Sequence, residues 1–293
     1  MEKLLSDYKE YIQNEKGLSR STVFSYENDL KKYFEYLSSC KLDILDVSES
    51  DLEDFVAHIK TFDISQATVS RIVSSVKSMH EYLYDAKLSC KNPAKKIKKP
   101  KIEREQTTDI LMEEEIVKML SMPDSAGCTG MRDKAILEII YGTGMKVSEI
   151  VSLNVEDVDV QMEYINCDGT RSKRAVPLGL SALESVKAYI EKSRTSLIKP
   201  CSGSALFLNL KGDRLTRQGL WKIIKGYAKE AGIQKNVTPS VLRNSFAVHM
   251  LSNGADIRIV SQLLGNSNIS CLQPYVQSKK NARIELKSKH PRG

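Results

Sequence analysis

The sequence is poorest in the residues that build metal and redox sites. Its 293 residues include only four histidines (His58, His80, His249 and His290) and six cysteines (Cys40, Cys90, Cys128, Cys167, Cys201 and Cys271). The cysteines are scattered. No C-x-x-C pair and no Cys/His cluster occurs, which argues against a zinc site and against thioredoxin-like chemistry. Such a distribution fits free thiols in a reducing compartment. Also missing is any apolar run approaching the ~20 residues that a membrane helix needs. The opening MEKLLSDYKE mixes acidic and basic residues without an apolar core. No signal peptide is read there, and a cytoplasmic location is expected. No internal repeat or low-complexity stretch stands out.

What is present is an ordinary apolar fraction, 41%, in a chain long enough for two domains. Lys and Arg outnumber Asp and Glu by 44 to 37, a formal net charge of +7. A basic balance favours a polyanionic partner such as nucleic acid, although many ordinary proteins are as basic.

Residues 1–87 read as four helices. Leu4, Leu5, Tyr8, Tyr11 and Ile12 set the apolar face of the first. Ser19 is the expected N-cap of the second, whose inward face is Val23, Tyr26, Leu30, Tyr33, Phe34 and Leu37. Ser48 caps the third, and Val69, Ile72, Val76, Met79 and Leu83 line the fourth. A break follows in 86-AKLSCKNPAKKIKKPKIEREQ, with Pro93, Pro100 and a dense run of lysines including Lys95, Lys96, Lys98 and Lys99. Residues 88–106 therefore read as a basic interdomain linker. It is either a solvated tether or a strap lying along phosphates.

From 107 to 293 the pattern is again mostly helical. One interruption, 163-EYINCDGTRSKRAVPLG, reads as a basic-tipped β-hairpin turning at Asp168-Gly169. Leu206-Phe207-Leu208 is expected to add a short strand. The stretch 141-YGTGMKVSEIVSL reads as a helix end, a sharp turn carrying Lys146, and a new short helix with Val147, Ile150, Val151 and Leu153 on one face. Lys146 there is either a solvated surface lysine or a site residue.

Four segments in order then carry a resemblance: 17-GLSRSTVFSYENDLKKYFEYL, 142-GTGMKVSEIVSL, 206-LFLNLKGDRLTRQGLWKIIKGYAKEAGI with 238-TPSVLRNSFAVHM, and 263-LLGNSNISCLQPY. Nearly the whole chain resembles tyrosine recombinases of the Xer and phage-integrase kind. The resemblance implies a mainly α fold with a small β-hairpin or sheet. An N-terminal SAM-like core-binding bundle would precede a catalytic-type domain, the two clamping a DNA duplex. In such proteins a tyrosine hydroxyl attacks a DNA phosphodiester, giving a 3′-phosphotyrosine and a free 5′-hydroxyl, with no metal or cofactor. Paired arginine donors suit the charge that develops on the phosphate. A lysine at a β-turn tip protonates the leaving oxygen, and histidines position groups or move protons.

Carried over by position, Tyr275 aligns with the nucleophile and Arg243 with the second arginine. The other positions depart from the pattern. The turn motif Gly-Leu-Arg-Val-Ser-Glu has Lys146 in its arginine place. The histidine of His-x-x-Arg is Ser240, and the histidine or tryptophan after Leu-Leu-Gly is Asn266. The hairpin-tip lysine position falls within Asp168-Gly169-Thr170, with Lys173 or Arg171 as displaced stand-ins. His249, six residues past Arg243, is about 600° round a helix and so off its face, which fits a packed structural histidine. Tyr275 itself could persist as a packing aromatic, and Arg243 as a phosphate-binding residue only. Strand cleavage is therefore expected to be impaired or lost. The alternative is an active recombinase working through Tyr275 with an altered residue set.

DNA binding rests on many phosphate contacts and should outlast catalysis. The candidate contacts are Ser19, Arg20, Ser21, Lys95, Lys96, Lys98, Lys99, Arg214, Arg217 and Lys222, each alternatively a solvated surface residue. The expected partners are double-stranded DNA and recombinase subunits, in a homo- or hetero-oligomer.

Overall fold

The computed structural model describes residues 2–100, 110–168 and 173–265. The chain divides into two compact units, Met1–Arg104 and Glu105–Gly293. Among the described residues, no helix is long and apolar enough to cross a membrane.

The first unit is a bundle of α1 (Glu2–Asn14), α2 (Arg20–Ser39), α3 (Glu49–Lys60) and α4 (Gln66–Asp85). Serines start three of them. Ser19, Ser48 and Ser65 accept backbone N–H groups of Thr22, Asp51 and Thr68, which would otherwise be orphaned at the helix starts. The apolar faces meet in one core built around Tyr8, Ile12, Leu30, Tyr33, Leu37, Leu52, Phe55, Ile72, Met79 and Leu83. Two polar groups inside it are partnered. Tyr33 and His80 share a buried 2.8 Å hydrogen bond. Asp29 accepts from Arg71 at 2.7 Å and from Ser75 at 3.4 Å.

The basic segment after α4 is anchored over its first half rather than extended. Asn92 caps a single 3-10 turn, Pro93–Lys95, whose Ala94 is fully buried. Ile97 packs on the same core. The Lys77 ammonium donates to the carbonyls of Lys95 (3.2 Å) and Ile97 (2.9 Å). The apolar side chains of Ala94 and Ile97 supply the reason, because packing them on this core offsets the entropy of fixing the backbone.

The second unit opens with α5 (Glu113–Ser121) and the central helix α6 (Cys128–Thr143). A short α7 (Val147–Ser152) and a three-stranded antiparallel sheet, β1 (Val158–Asp159), β2 (Tyr164–Asp168) and β3 (Lys173–Pro177), come next. In the β2–β3 register, Ile165 opposes Val176, Cys167 opposes Arg174 and Asp168 opposes Lys173. Helix α8 (Leu180–Ala188) continues through a π turn, Tyr189–Arg194, into the short α9 (Thr195–Leu197). Helices α10 (Arg217–Glu230), α11 (Pro239–Ser252) and α12 (Ile257–Leu263) complete the described part. Helix α6 is buried nearly all round, with Ala135, Ile136, Leu137, Ile139 and Ile140 in the core. A helix surrounded in this way needs no amphipathic stripe.

Leu206-Phe207-Leu208 does not form the expected strand. Its three side chains are buried as a strand's would be. Its backbone, however, bonds to different partners in turn: Leu206 N–H to the Leu153 carbonyl, and Leu215 N–H to the Phe207 carbonyl. Only isolated bridges, Asn154 with Ala205 and Leu208 with Arg214, result.

Candidate functional site

The site is built around the turn that joins α6 to α7. Gly144 ends α6 in the left-handed region, φ 63°, where glycine carries no Cβ penalty. It also lies against Phe246 of α11 and Leu264 beyond α12, so close that a Cβ there would come within 2.6 Å of both side chains. The chain then turns extended at Lys146, the N-cap of α7. Glu149 reaches back to accept the Lys146 N–H at 2.8 Å, the carboxylate half of a capping box.

Glu149 is the buried hub of this turn, with its side chain only 6% exposed. Arg174 of β3 grips it with both terminal nitrogens, Nη1 to Oε1 at 3.0 Å and Nη2 to Oε2 at 2.9 Å. Burial favours the neutral acid, but the Arg174 fork and the Lys146 N–H outweigh it and hold the Glu149 carboxyl below its usual range. Arg174 also donates Nε to the Leu263 carbonyl at 3.1 Å. Beside it, burial pushes the Cys167 thiol up to about 11, and the Glu149 charge adds to this. That thiol is inert at neutral pH.

Arg243 of α11 works on the same two segments. It donates Nη1 to the Gly144 carbonyl and Nη2 to the Leu264 carbonyl, the latter at 2.7 Å. Two arginines from different elements thus tie the end of α12 to the α6–α7 turn. Ser240 is exposed one turn before Arg243 on α11. Lys173 is exposed at the start of β3, next to Arg174. The Lys146 side chain is about half exposed, at 47%. Lys146, Arg174 and Arg243 therefore gather at one turn. Asn266, Tyr275 and the hairpin tip 169–172 lie outside the described residues.

His249 is half-buried on α11, and its Nδ1 lies 3.0 Å from the Tyr141 hydroxyl on α6. It bridges two packed helices.

The residues expected to contact DNA divide by environment. Arg20 and Ser21 are exposed in the first turn of α2, and the Ser19 hydroxyl is engaged as its cap. Lys95, Lys96, Lys98 and Lys99 are exposed, and Lys96 lies 3.4 Å from Glu49. A cavity of about 350 Å³ opens between α4 and this segment, lined by Ser74, Lys77, Ser78, Glu81, Lys95 and Lys99 among others. Arg217 and Lys222 are exposed on α10. Arg214 differs from the expectation. Its guanidinium donates to the Val151 and Leu153 carbonyls at 3.0 and 2.7 Å and to the Asn154 side-chain oxygen. It closes the C-terminal end of α7, where helix carbonyls lack intrahelical donors.

Sequence reasoning missed Arg174, although a signal existed. Strand alternation puts it on the same face of β3 as Val176, two residues on, and that face is buried. A cation placed there needs a buried partner, and Glu149 in the quoted turn motif is that partner.

Each of the two units matches a family model. The N-terminal SAM-like domain of phage integrases matches residues 5–87, and the phage integrase family matches residues 109–282. The chain belongs to the phage integrase family of tyrosine recombinases and is Xer-like. The tyrosine recombinase XerD of Staphylococcus epidermidis is 40% identical over 295 residues, covering all of both chains. Among solved structures, XerA recombinase superposes with a TM-score of 0.54 at 25% identity, over all of this chain and 99% of that one. XerH recombinase, solved on its palindromic difH substrate after cleavage, superposes with a TM-score of 0.76 at 21% identity, over 97% of this chain and 84% of that one.

Proposed function

We propose that this chain binds duplex DNA as a recombinase-family protein whose own strand cleavage is impaired or lost. Lys146 carries the proposal. The turn that presents it is built in full, with a left-handed Gly144, the N-cap position and the Glu149 reach-back. The side chain at that N-cap is nevertheless a single ammonium where the family motif has a guanidinium fork. A point charge attracts a phosphate but cannot supply paired donors in a fixed plane. Losing one preorganised donor costs on the order of 10²–10³ in rate. Ser240 and Asn266 donate hydrogen bonds but are not acids or bases near neutral pH.

Binding survives such changes because phosphate contacts are many and individually replaceable. The exposed cations Arg20, Lys95, Lys98, Lys99, Arg217 and Lys222 support this reading. So does the 40% identity to XerD, together with the fold shared with XerH on difH. Association with homologous recombinase subunits on DNA belongs to the same reading.

A nicked suicide duplex carrying the chain's own binding site tests it. Salt-dependent binding without a covalent adduct is expected. An adduct that disappears in Tyr275→Phe overturns the loss of cleavage and establishes an active recombinase with an altered residue set. Absence of binding at low salt overturns the whole reading.

A further inference from the structure

We infer that Arg174 is a positioning residue for Lys146: by holding both carboxylate oxygens of Glu149, it keeps the Lys146 ammonium available to an anionic ligand. The inference rests on the reading above for the identity of that ligand, a DNA backbone phosphate.

The geometry at Glu149 is unequal. Its Oε2 accepts the Lys146 N–H at 2.8 Å and Arg174 Nη2 at 2.9 Å, and its Oε1 accepts Arg174 Nη1 at 3.0 Å. The Lys146 ammonium stands off at 3.9 Å from Oε1, beyond hydrogen-bond distance. A lysine beside an unclaimed carboxylate closes to about 2.8 Å. Here both oxygens are already engaged, and three of about four acceptor sites are filled. The Arg174 side chain is 12% exposed and that of Lys146 47%. One cation is therefore committed inside the protein and the other remains at the surface.

Arg174 is also held in its own plane. Its Nε donates to the Leu263 carbonyl, and Gly265 leaves it room, since a Cβ there would lie 2.7 Å from Nη1. The guanidinium cannot swing out to meet a ligand without breaking three bonds. Its charge cancels that of Glu149, and the net positive charge of the trio resides on Lys146. Without Arg174, the buried carboxylate would retain the Lys146 N–H and draw in the ammonium now 3.9 Å away. Lys146 would leave the surface although it had not been mutated.

The test is the salt dependence of binding to a short mixed-sequence duplex, whose logarithmic slope falls by about 0.9 for each phosphate that is no longer neutralised. In the natural chain, Lys146→Gln is expected to lower the slope by about that amount. In an Arg174→Met background, Lys146→Gln is expected to change nothing, because the ammonium is already bound to Glu149. Adding Glu149→Gln to Arg174→Met removes the competing carboxylate and is expected to restore the Lys146 contribution. A purely structural Arg174 gives no such rescue. Should Arg174→Met unfold, Arg174→Lys replaces it, as one ammonium cannot hold both oxygens.

An unchanged Lys146 effect in the Arg174 variants overturns the inference, as does the absence of any Lys146 effect in the natural chain. Unfolding of all Arg174 variants, the Glu149→Gln double variant included, makes the pair plain scaffold and overturns it too. If the natural chain binds no duplex, it is the proposed function that fails, a result distinct from these.

Discussion

Arg243 donates one terminal nitrogen to the Leu264 carbonyl at 2.7 Å and the other to the Gly144 carbonyl, stapling the end of α12 to the turn after α6. In this state the residue that aligns with a phosphate-binding arginine is also a structural clamp. Hydrogen bonds from a charged donor contribute about 1.5–3 kcal/mol each. Arg243→Ala is therefore expected to lower unfolding free energy by roughly 3 kcal/mol, measured in urea. Arg243→Lys can keep one of the two bonds and should fall between. Equal stability of Arg243→Ala and the natural chain would show that the clamp carries no energy.

Gly144 is the other end of that staple, and its substitution separates backbone strain from side-chain loss. An alanine there takes a left-handed conformation at φ 63° and puts its Cβ 2.6 Å from Phe246 and Leu264. Left-handed strain and overpacking each cost about 1–3 kcal/mol. Gly144→Ala is expected to be more destabilising than Gly142→Ala. At 142 a Cβ finds ordinary room, 3.7 Å from Ala182, and the residue is helical. Paired thermal melts of the two variants decide this.

The helices were legible because their signals are local. Serine caps at 19 and 48, 3.6-residue apolar spacing and the glycine after α6 fix α2, α3 and α6 without knowledge of the rest of the chain. The hairpin's strands were legible from the alternation around Ile165 and Val176, while Asp168, expected in the turn, pairs with Lys173 as the last residue of β2. Three features were not legible. Leu206–Leu208 has strand composition, but whether it pairs depends on segments distant in sequence, such as Leu153. Arg214 reads as a surface cation until the carbonyls of α7 are placed beside it. The Arg174–Glu149 pair spans 25 residues and two elements; strand alternation turns Arg174 inward, but nothing in its own segment names its partner. Long-range polar pairing leaves little trace in periodicity, since it depends on which two elements the core brings together. The turn and helix that carry Lys146, Ser240 and Arg243 were legible, and the residues that hold them in place were not.

His80 gives the N-terminal bundle a pH dependence whose sign follows from burial. Enclosed in the core and bonded to Tyr33, it has its pKa pushed down to about 4. In the unfolded chain it titrates near 6.5. Between those values the unfolded state binds a proton that the folded state does not. Stability is therefore full above about pH 6.5 and falls as pH drops towards 4, by up to about 3 kcal/mol. Asp29, whose carboxyl burial raises despite Arg71, acts in the opposite direction as pH falls through its raised value towards the ordinary 3.8. Urea midpoints across this range should fall with acidification in the natural chain, and His80→Phe should flatten that part of the curve. A slope unchanged in His80→Phe would assign the acid sensitivity elsewhere.

If strand cleavage is impaired as proposed, restoring the family residues tests whether the scaffold can support it. Lys146→Arg places a guanidinium at the N-cap of α7, where the backbone is already held by Glu149 and the surface side is open. Ser240→His adds a titratable ring at an exposed position one turn before Arg243. Gly169→Lys supplies the hairpin-tip lysine that the family pattern carries. Site residues that act as a unit are non-additive, so single replacements are expected to recover little. The triple variant is expected to gain at least about 10²-fold in covalent adduct on a nicked duplex, the scale of one restored donor. The gain should depend on Tyr275 and vanish in Tyr275→Phe. A triple variant that folds, binds DNA and forms no adduct would locate the defect beyond these three positions, with Asn266 the next to replace.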